Sequence, residues 1–182
     1  MSKNSAIWPT LLRFEAQVSH LSNYLLHTIA TIYRKLKIII NRRIEDVFNF
    51  ATDLTSIPKW NYYVLTVSPT SSNPGTTAAT YHQVRKIDEQ DLQIVELERN
   101  RSFIIETIPP SKPELRREMI FESDGEMTHI TGRWHLALGV PRLLRPLAAN
   151  RAKNGVRENL SKLKTLLEEG SVTLQDGRSF TL

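Results

Sequence analysis

The chain of 182 residues contains no cysteine. That excludes disulfides, thiolate nucleophiles and cysteine-ligated zinc together, and it fits a reducing compartment. Long hydrophobic runs are missing as well, since no segment approaches the roughly 18 uninterrupted apolar residues that a membrane span needs. The first stretch, MSKNSAIWPTLLRFEAQ, has one lysine and an apolar run broken by Arg13 and Glu15, which makes a poor secretory signal. A cytoplasmic protein is the expectation. No nucleophile elbow, phosphate-binding glycine loop or dinucleotide fingerprint occurs, and no cofactor is expected. The five histidines, His20, His27, His82, His129 and His135, lack zinc-like spacing, which argues against a metal site. Glycine and proline are sparse beside 40% hydrophobic residues, so the chain is neither low-complexity nor disordered. Its length suits one domain with extensions.

What is present is positive charge, formally +5, and this raises a nucleic acid or an anionic membrane as partner. The distribution weakens the nucleic-acid reading. Residues 1–60 and 141–182 are each basic, whereas 61–140 hold more acids than bases. Between Arg142 and Lys164 the bases Arg142, Arg145, Arg151, Lys153, Arg157, Lys162 and Lys164 face a single acid, Glu158. A solvated helix face is the ordinary use of such a row, and peripheral contact with an anionic membrane is the alternative.

Periodicity divides the chain. Leu11, Phe14, Val18, Leu21, Leu25, Ile29 and Ile32 recur at threes and fours, which predicts a helix over about 10–27 before a first strand at about 31–41. That helix would pack on the domain, pair with a second copy as a homodimer, or lie on a membrane. After Asn41, a candidate cap, Ile44, Val47, Phe48 and Ala51 return at helical spacing. Asp53 to Trp60 then forms a turn, with Ser56 or Thr55 to cap a very short second helix and Pro58 suited to its first turn. From there to residue 138 the period is two. The expected strands are 63–68, 80–87, 92–98, 103–108, 115–122 and 127–138, separated by SNPG, DEQD, ERNR, PPSKP and SDGE. Short turns imply an antiparallel meander, which with the first strand makes seven. Ala152, Val156, Leu160, Leu163 and Leu167 then mark one amphipathic helix over about 146–168. Pro146 suits its first turn and Gly170 its end. The tail, SVTLQDGRSFTL, reads as a hairpin, an extra strand or a frayed end.

The runs KIIINRRIEDVFNFATDLTSIPKWNYYV, SDGEMTHITG and PRLLRPLAANRAKNGVRENLSKLKTLLEE, in this order, resemble the START-like (SRPBCC, Bet v 1-like) superfamily, in its polyketide cyclase/dehydrase and lipid-transport branch. The resemblance spans about residues 34–169. It departs from the family pattern at Arg42 and Arg43, where many members have Ala-Pro, and before residue 30. It implies an α+β helix-grip fold, with a seven-stranded antiparallel curved sheet around a long C-terminal helix and two short helices after strand 1. The N-terminal helix would be extra. The domains expected are a helical extension (1–30), a START-like ligand-binding domain (31–170) and a C-terminal tail (171–182).

Such an architecture leaves a mostly apolar space between sheet and helix. Alternation says which residues face it. On the sixth strand Leu115, Arg117, Met119 and Phe121 share the inward face. Ile130, Trp134, Leu136 and Leu138 do so on the seventh, Val95 and Leu97 on the fourth, and Phe103 and Ile105 on the fifth. Parity leaves Thr80–Ile87 undecided, with Tyr81, Gln83 and Arg85 the more chemically useful inward set. Val156 and Leu160 of the helix and Trp60 at the bend complete the candidate ligand-binding residues. Arg117 is the anomaly, because a guanidinium among inward apolar residues needs partners or water. It is a candidate for a carboxylate or enolate oxygen of a ligand, and otherwise reaches solvent or a structural acid. The expected partner is a small hydrophobic ligand, a lipid, polyketide-like or aromatic compound. The alternatives are a metal-free cyclase or dehydratase in the same cavity and a membrane- or partner-interaction module; the resemblance alone does not choose.

Overall fold

The computed structural model describes residues 30–138 and 140–182. The helix expected over 10–27 lies outside them. Seven strands, β1 (Ala30–Ile40), β2 (Val64–Pro69), β3 (Thr80–Arg85), β4 (Glu89–Glu98), β5 (Ser102–Thr107), β6 (Glu114–Asp124) and β7 (Met127–Leu138), form one curved antiparallel sheet. Their order is β1-β7-β6-β5-β4-β3-β2. Strands β2 to β7 follow one another as their short turns require. Strand β1 alone pairs out of sequence, closing on β7 with Ala30 opposite Leu138 and Ile40 opposite Thr128.

A long helix, α2 (Arg145–Glu169), crosses this sheet. Pro146 sits in its first turn, where the missing N–H costs nothing, and Gly170 ends it at φ +77°, a left-handed conformation that favours glycine. The buried residues of α2 all lie in its second half: Asn159, Leu160, Leu163, Leu166 and Leu167. There it joins a core containing Ile40, Val47, Ile94, Phe103, Met119 and Ile130.

Helix α1 (Ile44–Thr52) and a 3-10 turn (Leu54–Lys59) link β1 to β2. Val47, Phe48 and Ala51 bury one face of α1, while Glu45 and Asp46 in its first turn complement the helix dipole. Asn41 does not cap α1, whose cap position is Arg43; instead Asn41 donates its backbone N–H to Glu168 Oε1 at 2.5 Å. Arg42 donates to the Glu168 carbonyl at 2.9 Å, placing a cation at the C-terminal end of α2. In the 3-10 turn Asp53 is the cap, its Oδ1 accepting from Thr55 N at 2.9 Å and Thr55 Oγ1 at 2.7 Å. Pro58 stands late in this turn rather than at its start.

The tail is a hairpin, β8 (Ser171–Thr173) with β9 (Ser179–Thr181), docked on the body. Val172 and Leu174 join Leu166 in a second small core against Phe50, Tyr62 and Phe180. Arg178 donates to the carbonyls of Val64 (3.1 Å) and Tyr62 (3.0 Å), and Asp176 meets Lys86 at 2.8 Å. Residues 171–182 thus pack with the domain rather than standing apart from it.

Candidate functional site: a cavity between sheet and helix

The residues of the first half of α2 that face the sheet are small and leave space unfilled. Ala148, Ala152 and Gly155, spaced at threes and fours, look across at Leu92, Ile105, Met119, Trp134 and Leu136, and a cavity of about 770 Å³ remains between them. Its mouth lies where the β3–β4 turn, the β5–β6 loop and α2 meet, at Ile87, Lys112, Glu114 and Arg151. Two pairs at the rim neutralise each other: Arg85 grips Asp88 with two hydrogen bonds, and Lys112 holds Glu114.

Of the residues singled out from the sequence, Trp60, Gln83, Arg85, Ile105, Arg117, Met119, Trp134, Leu136, Val156 and Leu160 line this cavity. Tyr81, Leu97, Phe103 and Phe121 face inward but belong to the packed core beside it. The Tyr81 hydroxyl accepts from Gly75 N at 2.6 Å, and Phe121 stands edge-on to Phe48 with centroids 5.1 Å apart. Val95 is a correction. A bulge leaves it unpaired between Ile94, opposite Ile105, and Glu96, opposite Ile104. The extra residue inverts the alternation, so Ile94 is buried and Val95 lies 38% exposed, away from the cavity.

Gln90, Leu92, Tyr63, Val64 and Asn159 also line the cavity and were not among the residues read from sequence. Gln90 escaped because DEQD reads as turn, whereas β4 already begins at Glu89. It is 1% exposed and fully engaged, accepting from Gln83 Nε2 at 3.2 Å and donating to the Lys112 carbonyl at 2.8 Å. Asn159 carried a usable signal: it stands four residues after Gly155 and four before Leu163, a polar position on the buried stripe.

Arg117 is 6% exposed on β6, and its neighbour Glu118 points to the other face, where it accepts from Arg133 at 2.9 Å. The Arg117 guanidinium lies 5.8 Å from the ring centroids of both Trp60 and Phe103. Among the described residues neither its Nε nor its Nη2 finds a hydrogen-bond partner. Burial pulls its pKa down to about 10, which leaves it a cation at neutral pH. Trp60 is held for this contact from behind, its Nε1 donating to Ser56 Oγ at 3.3 Å while Ser56 donates to the Phe50 carbonyl at 2.8 Å. The bend ATDLTSIPKW therefore does two things: it turns the chain from α1 into β2, and it presents the indole that floors the cation.

Among the described residues no group of three or more His, Asp or Glu side chains is placed to hold a metal ion, and no helix is long and apolar enough to cross a membrane.

A curved antiparallel sheet closed over an apolar cavity by one long helix defines the class as START-like. The sequence model of the family described as polyketide cyclase / dehydrase and lipid transport matches residues 35–168, and the chain belongs to that family. Among solved structures it is similar to a START superfamily protein from Mycobacterium smegmatis (11% identity, TM-score 0.64, covering 76% of this chain and 98% of that one). A protein from Thermus thermophilus shares 16% identity at a TM-score of 0.61, covering 74% and 96% of the two chains. The di-domain ARO/CYC BexL from the BE-7585A biosynthetic pathway matches at 11% identity and a TM-score of 0.60, over 78% of this chain and 50% of that one. At such identities the likeness is one of fold. None of the curated proteins matches the chain.

Proposed function

We propose that the protein binds a small hydrophobic molecule, a lipid, polyketide-like or aromatic compound, in the space between sheet and α2. The observation that carries this reading is the cavity of about 770 Å³ walled mainly by Trp60, Leu92, Ile105, Met119, Trp134 and Leu160. Burying a ligand's apolar surface there contributes roughly 25 cal/mol per Å², and a few polar groups fix its orientation. The enzyme of the same family, a cyclase or dehydratase, is the rival. Against it, the rim acids are already paired with Arg85 and Lys112, and Arg117 keeps its proton at neutral pH. These groups suit holding better than proton transfer. Native mass spectrometry of protein from its own organism, followed by organic extraction, tests the reading. One co-purifying hydrophobic compound supports it. Failure of apolar compounds to alter the emission of Trp60 and Trp134, with nothing co-purifying, overturns it.

A second reading has its own observation. Leu143 and Leu144, just before α2, and Leu147, in its first turn, are 92%, 51% and 68% exposed, and Ile87 is 80% exposed across the mouth. Apolar side chains beside the basic row of α2 suit an anionic bilayer from which a ligand could be drawn. Salt-sensitive sedimentation with vesicles containing phosphatidylserine, lost when Leu143 and Leu147 become serine, is the expected result. Equal sedimentation with neutral vesicles removes the idea.

A further inference from the structure

Two side chains in the cavity wall hold polar atoms without partners among the described residues. Arg117 and Asn159 are 6% and 8% exposed, and both line the cavity. The unpaired atoms are Nε and Nη2 of Arg117 and Oδ1 of Asn159. In arginine, Nε–H and the Nη2 group form one edge of the guanidinium plane, two parallel donors spaced to meet both oxygens of a carboxylate. That whole edge is the part buried without a partner among the described residues. A buried cation with no acid beside it among the described residues is costly, and the rings of Trp60 and Phe103, with centroids 5.8 Å away, supply no acceptor. A ligand in the cavity is one source of that acceptor. Asn159, on the helix that closes the cavity, offers a carbonyl oxygen and asks for a donor such as a hydroxyl.

We infer that the cavity is built for an amphiphilic hydroxy acid: Arg117 takes its carboxylate side-on, Asn159 accepts from a hydroxyl, and the apolar body fills the space lined by Leu92, Ile105, Met119 and Trp134. This rests on the reading of the cavity as a ligand site and adds the chemistry of what it selects. Arg117 sets a requirement for an anionic head, and Asn159 refines it. An ester or alcohol of the same length would leave the guanidinium edge empty, which is a loss rather than a neutral change.

The test is a tryptophan-fluorescence titration of the full chain with three probes: hydroxystearic acid, its methyl ester and stearic acid. The expected result is that the acid binds roughly ten- to a hundredfold more tightly than its ester, the range of a charge-assisted hydrogen-bond pair. In Arg117→Leu the acid should lose that advantage while the ester binds as well as before or better. In Asn159→Leu the difference between hydroxystearic and stearic acid should vanish while acid over ester persists. Arg117→Lys, which keeps the charge without the fork, should retain only part of the preference and serves where the leucine variant does not fold. Equal affinity of wild type for acid and ester overturns the carboxylate site while leaving the cavity reading intact. No binding of any of the three, or of a neutral apolar dye, overturns both.

Discussion

Trp134 lies across Gly132 so closely that a Cβ on the glycine would fall 2.0 Å from the ring's Cη2 and 2.5 Å from Cζ3. Two residues apart on β7, they share one face of the sheet, and the missing side chain of one is the bed of the other. The indole, 7% exposed, can then lie along the sheet as a wall of the cavity instead of standing up into it.

Gly132→Ala should accordingly act through Trp134. Overpacking of this kind costs about 1–3 kcal/mol, and in a chain of this size each kcal/mol lowers the melting temperature by roughly 2–4 °C. A thermal melt followed by tryptophan emission would show both a lower midpoint and an altered native spectrum. Replacing Trp134 by leucine in the same chain should recover part of the loss. An unchanged midpoint in Gly132→Ala would mean that the ring is not seated on the glycine.

The bulge in β4 decides which of two neighbouring residues faces the core. Ile94 is fully buried and Val95 is 38% exposed. Ile94→Ala should cost about 2–5 kcal/mol, as large-to-small core changes do, whereas Val95→Thr should stay within about 0.5 kcal/mol. Urea unfolding of the two variants measures the contrast, and a larger loss at Val95 than at Ile94 would argue for alternation running unbroken back from Leu97.

Phe48 ties α1 to the sheet through its edge-on contact with Phe121, ring planes at 71°. Truncation to alanine should cost about 3–5 kcal/mol, a large share of an ordinary folding free energy. Phe48→Leu should recover most of it. Denaturant midpoints of the two variants decide the matter.

The C-terminal hairpin should respond to acid. Hydrogen bonding from Lys86, assisted by Arg178, pulls the Asp176 carboxyl from 3.8 to about 2. A carboxyl depressed by folding contributes stability that is present above its unfolded value and is lost as pH falls through its folded one. Docking of the hairpin should therefore be complete above about pH 4 and weaken towards pH 2. NMR shifts of the Val172 and Leu174 methyls would follow it. In Asp176→Asn that titration should disappear, and a curve unchanged from wild type would assign it to other groups.

Much of this fold could be read from the order of elements. Alternation over β6 and β7 placed Arg117, Met119 and Trp134 on the cavity side because those strands run without a bulge. It misled at Val95, where the inserted residue has no mark of its own in a run of apolar and acidic side chains. The helical stripe located Val156 and Leu160, yet Asn159 was passed over because a polar residue in a helix is usually read as its wet face. Its meaning comes from the small residues Ala148, Ala152 and Gly155 upstream, which open the space that makes a buried amide useful. Asp53 as cap of the 3-10 turn is a local pattern, an acid two residues before Thr55, that the choice of Ser56 or Thr55 as cap overlooks; the docking of the tail depends on contacts between distant segments, such as Arg178 with Val64, and no local pattern announces it.

Lys164 donates to the carbonyl of Ile39 at 2.6 Å, and Arg178 to that of Val64 at 3.1 Å. These carbonyls belong to β1 and β2, the two outermost strands of the seven. An open sheet that curls around a helix without closing into a barrel offers both margins to any other extended chain. Here cations from the end of α2 and from the hairpin occupy backbone acceptors on each margin. Self-association is thereby discouraged at the two places most exposed to it, and a chain cut before the hairpin would be expected to polymerise more readily even where its cavity stayed intact.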